Sequence, residues 1–134
     1  MRHLDRTKRL GRSASHRAAL KRSMTISLFR SFGGRGYIVT TREKAKFCRP
    51  FAERLITLAK ADSVHKRRVA SMRLGDKDTV GKLFGEIAPA FKDRPGGYTR
   101  IIKLSKRRIG DNATQVLFGF VPKAEAPARG ADKK

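Results

Sequence analysis

Basic side chains are the residues of this sequence whose chemistry stands out. The 134-residue chain has 33 Lys and Arg against 11 Asp and Glu, which gives a net charge of +22. A compact domain with this much positive charge repels itself and attracts polyanions, so the chemistry these residues could do is the neutralisation of phosphates. Nucleic acid is therefore the leading partner class, and an anionic membrane surface is the second.

The cations concentrate in four parts of the chain. They lie in the N-terminal segment and first predicted helix, on one face of a third predicted helix, at the start of a predicted strand near residue 98, and at 106–108. The stretch DRPGGYTRIIKLSKRRIGD (93–111) alone holds six of them beside two acids. The positions that charge alone marks as phosphate contacts are Arg6, Lys8, Lys21, Arg22, Arg67, Arg68, Lys106, Arg107 and Arg108.

Catalytic and metal-binding chemistry has little support. Asp93 and Asp111 flank the basic stretch, and we expect them to set turns rather than to act as an acid–base pair. Cys48 is the single cysteine, so no intrachain disulfide can form, and we expect it to pack as a small apolar residue on a helix. The histidines are not spaced to share a metal with it, and the glycine clusters lack the lysine and the strand–loop–helix setting of a phosphate loop. We therefore expect no enzyme, no cofactor, no metal and no small-molecule substrate.

Aromatic residues indicate what kind of nucleic acid is bound. The chain has no Trp and two Tyr, and most of its eight Phe fall at positions expected in the core. This composition favours recognition of structured RNA through its shape and backbone over stacking on single strands. Tyr98, close to Arg100, could stack on a base or could pack within its strand, and the sequence leaves both open.

Two helices are predicted in the N-terminal half. The first begins after a cap at Ser13 or Ser15 and has a buried stripe of residues four apart. The second follows a capping box formed by Thr40 and Glu43. Pro50 lies within it, and we expect either a kink there or two abutting helices, because proline removes a backbone donor and clashes with the preceding turn.

Two further helices are predicted before the basic stretch. The third spans 64–74, with Asp62 or Ser63 as its cap and Gly75 at its end. The fourth spans about 77–91 and has the clearest helical period of apolar residues in the chain. Its two internal glycines suggest close packing against a neighbouring element.

Three short strands complete the predicted domain. They are Tyr37–Val39, Tyr98–Leu104 and Val116–Val121, and the segment 105–115 between the last two is too long for a tight hairpin. The order α-β-α-α-α-β-β predicts an α+β fold in two layers, with a small, mostly antiparallel sheet and helices on one side of it.

The chain divides into one domain and two tails. Residues 1–12 should form a basic N-terminal extension that orders only on a partner, and 122–134 a disordered C-terminal tail, because both contain too few apolar side chains to fold. Residues 13–121 form the single domain. No apolar run approaches the ~18 residues of a membrane span, so we expect no membrane partner of that kind.

Four segments of the sequence resemble one known family. They are MRHL…LGR…SHRAAL at 1–20, TTREKAK…RPFAERLITLAK at 40–60, KLFGEIAPAFKDRPGGYTRIIKL at 82–104 and RRIGD at 107–111. In this order and spacing they look like the bacterial large-subunit ribosomal protein seventeen family. The resemblance runs from Met1 to about Val121, and DRPGGYTRI is very specific.

The resemblance implies a structural protein of the large ribosomal subunit with a two-layer α/β fold. It implies a cytoplasmic, ribosome-bound protein that binds large-subunit ribosomal RNA near the outer mouth of the polypeptide exit tunnel, beside other ribosomal proteins. The RNA-contacting residues that it carries over are Arg2, His3, Arg9, Arg12, His16, Arg17, Arg94, Gly96, Gly97, Tyr98 and Arg100.

The sequence departs from the family pattern in two places. The stretch RSFGGRGYIV (30–39) is longer than the family's short helix-to-strand turn, so a larger loop is expected there. Ile109 is an extra residue in what is usually Arg-Arg-Gly-Asp, and it could shift Arg107 and Arg108 relative to Asp111.

Three other functions compete with the ribosomal one. A free architectural protein would bind generic DNA or RNA duplexes away from the ribosome. An RNA-processing enzyme would need Asp93 or Asp111 for turnover. A cationic membrane-surface protein would need a helix with an apolar face free for lipid, whereas the apolar faces here are needed for the core.

Overall fold

Seven elements follow one another in residues 8–122, the part of the chain that the computed structural model describes. The fourth helix, α4, has three parts. It begins as an α-helix at Lys77–Lys82, continues as a π-helical turn at Leu83–Ile87 and ends with an α-helical turn at Ala88–Ala90. The other elements are α1 Ala14–Arg30, β1 Tyr37–Thr41, α2 Arg42–Ala59, α3 Val64–Leu74, β2 Thr99–Arg107 and β3 Thr114–Phe120. The predicted order and α+β class are confirmed. The predicted contacts at Arg2, His3 and Arg6 lie outside the described residues, as does the predicted tail from 123 onward.

The three strands form one antiparallel sheet in the order β1-β3-β2. Phe118 on the central strand lies opposite Ile38 on one side and Ile101 on the other, and it is fully buried. The next row, which includes Val39 and Ile102, points to the opposite face and stays exposed. Because side chains alternate along a strand, the sheet has one face in the core and one open to solvent.

Helix α2 is the central element of the core. It packs on all three strands and on α1, α3 and α4. Its buried side chains recur every three or four residues, as the sequence predicts: Ala45, Cys48, Ala52, Leu55, Ile56 and Ala59. The helix runs unbroken through the exposed Pro50, so the alternative of two abutting helices is wrong.

Local capping follows the sequence closely for α1 and α3. The Ser13 hydroxyl accepts a hydrogen bond from the His16 amide (3.4 Å), and the Ser63 hydroxyl accepts one from the Lys66 amide (3.2 Å). Gly75 ends α3 in the left-handed conformation with φ 73°, which a residue with a side chain adopts only at a cost. Ser13 and Ser63 are therefore the caps that the sequence left as alternatives.

The predicted capping box at the start of α2 is wrong. Thr40 belongs to β1, where it pairs with Val116 of the central strand, and α2 begins one residue later than a Thr40 cap requires. Glu43 instead forms an ion pair with Lys8 of the N-terminal segment. Backbone pairing along the whole of β1 stabilises the chain more than a single side-chain cap at Thr40 would. The local sequence pattern contains no information about this pairing.

The fourth helix is irregular where two glycines and a proline occur. A Cβ built at Gly81 or Gly85 meets nothing within 4 Å, so the expected close packing at these glycines is wrong. The helix widens into a π turn, in which the Ala88 amide donates to the Leu83 carbonyl five residues back. Pro89 follows directly and has no amide hydrogen to donate. The predicted helical period nonetheless holds.

Strands β2 and β3 form a longer hairpin than predicted. β2 continues to Arg107 and β3 starts at Thr114, with an irregular register between Lys103 and Arg107. The connection is therefore only 108–113, and the predicted long linker is wrong. Lys106 and Arg107 stand at the end of a strand rather than in a loop, because backbone pairing extends past the last apolar residue.

Candidate nucleic-acid interface

Ion pairs neutralise only a small part of the positive charge. Within residues 8–122 five pairs form: Lys8–Glu43, Arg30–Asp76, Arg49–Glu53, Arg67–Asp62 and Arg108–Asp111. In three of them, Lys8–Glu43, Arg67–Asp62 and Arg108–Asp111, both side chains are well exposed. Exposed pairs of this kind contribute little to stability. Most other Lys and Arg in the described part of the chain have no carboxylate partner there, so their charge is available to an external anion.

The largest group of predicted residues meets between α1 and α3. Arg17, Lys21 and Arg22 of α1 line one groove together with Arg73 of α3, and we call it the α1–α3 groove. Its apolar lining residues are Ala14, Ala18, Phe47 and Phe51. The Lys21 ammonium lies 4.6 Å from the centre of the Phe47 ring, which holds the cation over an aromatic face.

This groove suits a sugar–phosphate backbone. Its four cations come from two helices that the sequence places far apart, and they surround an apolar lining that can pack against ribose. No acid of the described residues 8–122 lines the groove, so none of them repels a phosphate there. Phosphate contacts of this kind position a protein on nucleic acid without reading its sequence.

A second basic groove lies between α2 and the edge strand β2. Arg42, Lys46 and Arg49 of α2 face Lys103 of β2 across the side chains of Pro50 and Ile101. We call it the α2–β2 groove. The N-terminal end of a helix already carries a partial positive charge, so cations in the first two turns of α2 raise the potential there further. An anion in this groove would relieve that repulsion.

The hairpin tip adjoins the start of α2. Arg42 and Lys44 line the same hollow as Arg108 and Asp111 of the connection 108–113. Arg108 donates to both carboxylate oxygens of Asp111, with Nε 2.9 Å from Oδ1. The extra residue Ile109 is 90% exposed at the tip, so it leaves this pair in place.

Asp111 is held ionised by its surroundings. The Arg108 guanidinium first, and then the Ala113 amide, lower the pKa of the Asp111 carboxyl to about 2. Because this pKa lies below the unfolded value of about 3.9, the stabilising interaction is fully present above about pH 4. It is lost as the pH falls through about 2.

We expect Arg108→Ala to return the pKa of Asp111 toward about 3.9, since its strongest hydrogen-bond donor is gone. A ¹³C NMR titration of the side-chain carboxyl measures this directly. Arg107→Ala is the matched control and should leave the pKa at about 2. An unchanged pKa in Arg108→Ala would show that the pair does not persist in solution.

The predicted cations of α3 differ in their availability. Arg67 donates to both oxygens of Asp62 at 2.7 and 2.6 Å, and its guanidinium lies 5.3 Å from the Phe84 ring centre. This pairing lowers the pKa of Asp62 and raises that of Arg67. Arg68 is exposed without such a partner among the described residues. Of these two predicted contacts, Arg68 is therefore the more available to phosphate.

The Pro-Gly-Gly turn is fixed by the core rather than open for stacking. Tyr98 is only 1% exposed, its hydroxyl accepts a hydrogen bond from Thr57 (3.2 Å), and its ring packs edge-on against Phe91. The alternative in which Tyr98 stacks on a base is wrong in this structure, and strand packing is confirmed. The Tyr98 ring is therefore not accessible to RNA, and a contact at this position would have to come from its backbone.

The backbone beside Tyr98 remains accessible. Lys60 donates to the Arg94 carbonyl at 2.7 Å, and Gly97 adopts a φ of 62°. Gly96 and Arg100 are exposed at either side of the turn, and Arg94 is partly exposed. These predicted contacts therefore share one surface strip leading into β2.

The N-terminal segment lies against the start of α1 and α2. Arg12 donates to the Leu10 carbonyl (3.1 Å), and Arg17 donates to the Arg12 carbonyl (2.7 Å). Lys8 reaches Glu43, whose pKa this pair lowers. Arg9 and His16 are exposed beside them. The predicted arm residues that the structure describes thus lead directly to the α1–α3 and α2–β2 grooves.

Sequence reasoning missed part of this surface. The residues that it did not assign to the interface are Arg42, Lys44, Lys46, Arg49, Arg73 and Lys103. The signal available was the run TTREKAKFCR, which puts four cations in the first turns of α2. Only the tertiary fold brings the α2 cations beside Lys103 of β2 and Arg73 beside the cations of α1.

Other chemistry is not assembled in residues 8–122. Cys48 is buried, and burial raises the pKa of its thiol to about 11, so it stays protonated and packs as predicted. The described residues include no cluster of three or more His, Cys, Asp or Glu placed to hold a metal. In the same part of the chain, every helix is too short or too polar to cross a membrane.

Comparisons with known proteins find one family. A sequence model of the family described as "Ribosomal protein L17" matches residues 20–121. Large ribosomal subunit protein bL17 of Syntrophotalea carbinolica is 47% identical over 136 residues, covering all of this chain and 84% of that protein. The protein of the same name from Sulfurihydrogenibium sp. is 47% identical over 121 residues, covering 90% of this chain and 97% of that protein. That from Desulfotalea psychrophila is 50% identical over 121 residues, covering 90% of each chain.

Proposed function

We propose, from the premise that this chain belongs to the ribosomal protein L17 family and so is a protein of the large ribosomal subunit, that it binds large-subunit ribosomal RNA through its basic grooves and N-terminal segment. The contacts are to phosphates and sugars of folded RNA. The protein works as a structural component of the subunit, in keeping with a family of ribosomal structural proteins rather than enzymes.

The single observation that carries this proposal is the α1–α3 groove. It brings Arg17, Lys21, Arg22 and Arg73 from two helices around an apolar lining, with no acid among the lining residues. A free protein gains nothing from holding four like charges together, because they repel each other. Phosphates placed between the four cations would replace this repulsion with attraction.

The α2–β2 groove and the hairpin tip extend the proposed contact. Arg42 lines both, so an RNA strand could pass from Lys103 of the edge strand to Arg108 at the tip. The two acids that also line the tip, Glu43 and Asp111, are each paired with a cation. The N-terminal segment starts beside the same end of α2, through the pair of Lys8 with Glu43. We place the RNA along this band of surface.

The position in the subunit is a further part of the proposal. We place the protein near the outer mouth of the polypeptide exit tunnel, beside other large-subunit proteins, as the family resemblance implies.

Copurification with large subunits tests the proposed binding. The tagged chain should stay with large subunits through a high-salt wash, since many phosphate contacts made together dissociate slowly. Loss of the protein in the first moderate-salt wash would contradict the proposal. Tight binding to generic duplexes with no ribosome association would instead favour the free architectural protein.

We expect Arg107→Ala with Arg108→Ala to reduce the slope of log affinity against log salt by up to ~2 units, about one for each phosphate that is no longer neutralised. Filter binding to large-subunit ribosomal RNA over a salt series measures the slope. Arg107→Ala alone keeps the Arg108–Asp111 pair intact and should reduce the slope by about one unit. A slope unchanged in both variants would mean that the hairpin tip does not touch phosphate.

A further inference from the structure

A hollow that the basic grooves do not explain is lined partly by the outer face of the sheet and partly by Phe32 after α1 and Phe91 after α4. It has a volume of about 400 Å³, within the range of small-molecule sites. Tyr37 and Leu117 line it together with Ile102 and Arg100 of the edge strand. Tyr37 and Ile102 are 40% and 42% exposed, so no described element covers this face.

Gly119 forms the floor of the hollow. Tyr37 pairs with Gly119 on one side and Arg100 pairs with it on the other, so the Tyr37 and Arg100 side chains stand on either side of a position without one. A Cβ at Gly119 would lie 2.7 Å from the Tyr37 Cβ and 2.8 Å from the Gly36 carbonyl oxygen. A residue with a side chain does not fit at this position, so bare backbone forms the floor of the hollow.

The spacing of the two flanking strands is compatible with one stacked base. β1 and β2 are two strand spacings apart, roughly 9 to 10 Å. A base stacked on both faces needs about 7 Å, twice the 3.4 Å step between neighbouring bases. A tyrosine ring and a guanidinium plane are the two kinds of side chain on which bases stack.

The charge around the hollow is complementary to a nucleotide. Among the part of the chain that the structure describes, its charged lining residues are Arg35 and Arg100, both cations. The loop that carries Arg35 is fixed on both sides, because the Gly36 amide donates to the Ser31 carbonyl and the Gly36 carbonyl accepts from the Phe120 amide, both at 2.9 Å. A phosphate contact from Arg35 would therefore come from a positioned residue.

We propose that this hollow binds one unpaired nucleobase of a single-stranded RNA segment. The base stacks on Tyr37, Arg100 forms the opposite wall, and Arg35 contacts a flanking phosphate. This rests on the proposed function and deepens it, since it adds a single-strand contact to a surface that otherwise recognises backbone. It also gives a role to the long loop 30–39, which the basic grooves leave without one.

The test uses the full chain and a single-stranded RNA octamer of adenosines, in which one central base is the fluorescent analogue 2-aminopurine. Wild type should bind the octamer and change the fluorescence of the base. Tyr37→Ala should weaken octamer binding roughly 5- to 100-fold, while Tyr37→Phe should bind like wild type, because it keeps the ring. Arg35→Gln should lower the salt slope for the octamer by about 0.7 units.

Two controls make the result specific. Val39→Ala removes an exposed apolar side chain from the same sheet face but outside the hollow, and it should bind the octamer like wild type. Binding of Tyr37→Ala to an RNA duplex should also be unchanged, since a paired base cannot enter the hollow. This duplex measurement doubles as evidence that the variant is folded.

Equal octamer affinity of wild type and Tyr37→Ala, or no octamer binding by wild type, would overturn the inference. If Tyr37→Ala instead weakened only cosedimentation with complete large subunits, the hollow would be a protein contact and the inference would again be wrong. Failure of the proposed function would be seen in a different experiment, in which the wild-type protein dissociates from large subunits at moderate salt.

Discussion

Replacing Phe118 with alanine is expected to lower the free energy of unfolding by about 3 to 5 kcal/mol. Phe118 is fully buried at the centre of the sheet, between Ile38 and Ile101 of the two neighbouring strands. Its removal loses the transfer free energy of the ring and leaves a cavity that a sheet fixed on both sides cannot close. For a domain of this size, that is a large share of the total stability.

Urea unfolding followed by circular dichroism measures this loss. Experiments in moderate salt keep the repulsion among the cations screened and equal in all variants. Val39→Ala is the matched control, because Val39 is 55% exposed on the opposite face of the same sheet, and it should change the free energy of unfolding by less than about 0.5 kcal/mol. Equal losses at both positions would contradict the assignment of the two faces.

Neutralising the α1–α3 groove is expected to have the largest effect on RNA binding. Changing Arg17, Lys21 and Arg73 to glutamine removes three cations from one groove. Each phosphate left without its cation lowers the slope of log affinity against log salt by about 0.9 on a duplex and 0.7 on a single strand, so the slope should fall by about 2 to 3 units. Affinity should fall most at low salt, where counterion release contributes most.

The control for this variant has the same net charge. Arg54, Lys77 and Lys92 are exposed and line neither basic groove, and changing these three to glutamine also lowers the charge by three. If the proposal is right, the control keeps a slope near that of wild type. Equal reductions of slope in the two triple variants would mean that overall charge, and not this groove, determines binding.

The sequence predicted the class of fold because its signals were local. The caps at Ser13 and Ser63 and the left-handed Gly75 each depend on a few neighbouring residues, and all three are present. The apolar period of α2 likewise required only the helical repeat. Two of the predictions that were wrong, the Thr40 capping box and the long linker 105–115, failed because sheet pairing overrode a local pattern.

The residues of the candidate site also fall into two groups, those that local sequence could assign and those that required the tertiary structure. Arg17, Lys21 and Arg22 could be assigned from one helix, because they share a face of it. Arg73 could not, since it joins them only through the packing of α3 beside α1. Tyr98 was ambiguous for the same reason: its burial depends on packing against Phe91 across the turn and on Thr57 of α2, which is 41 residues away in sequence.

The sequence by itself determined the net charge of +22, the order of the elements and the resemblance to a ribosomal family, because composition and short-range pattern are properties of the chain. Only the tertiary structure decided which cations share a groove and which tyrosine is free. Tyr98 lies on the buried side of the turn and Tyr37 on the open face of the sheet, and strand register, which depends on pairing between distant segments, sets the face on which a residue lies.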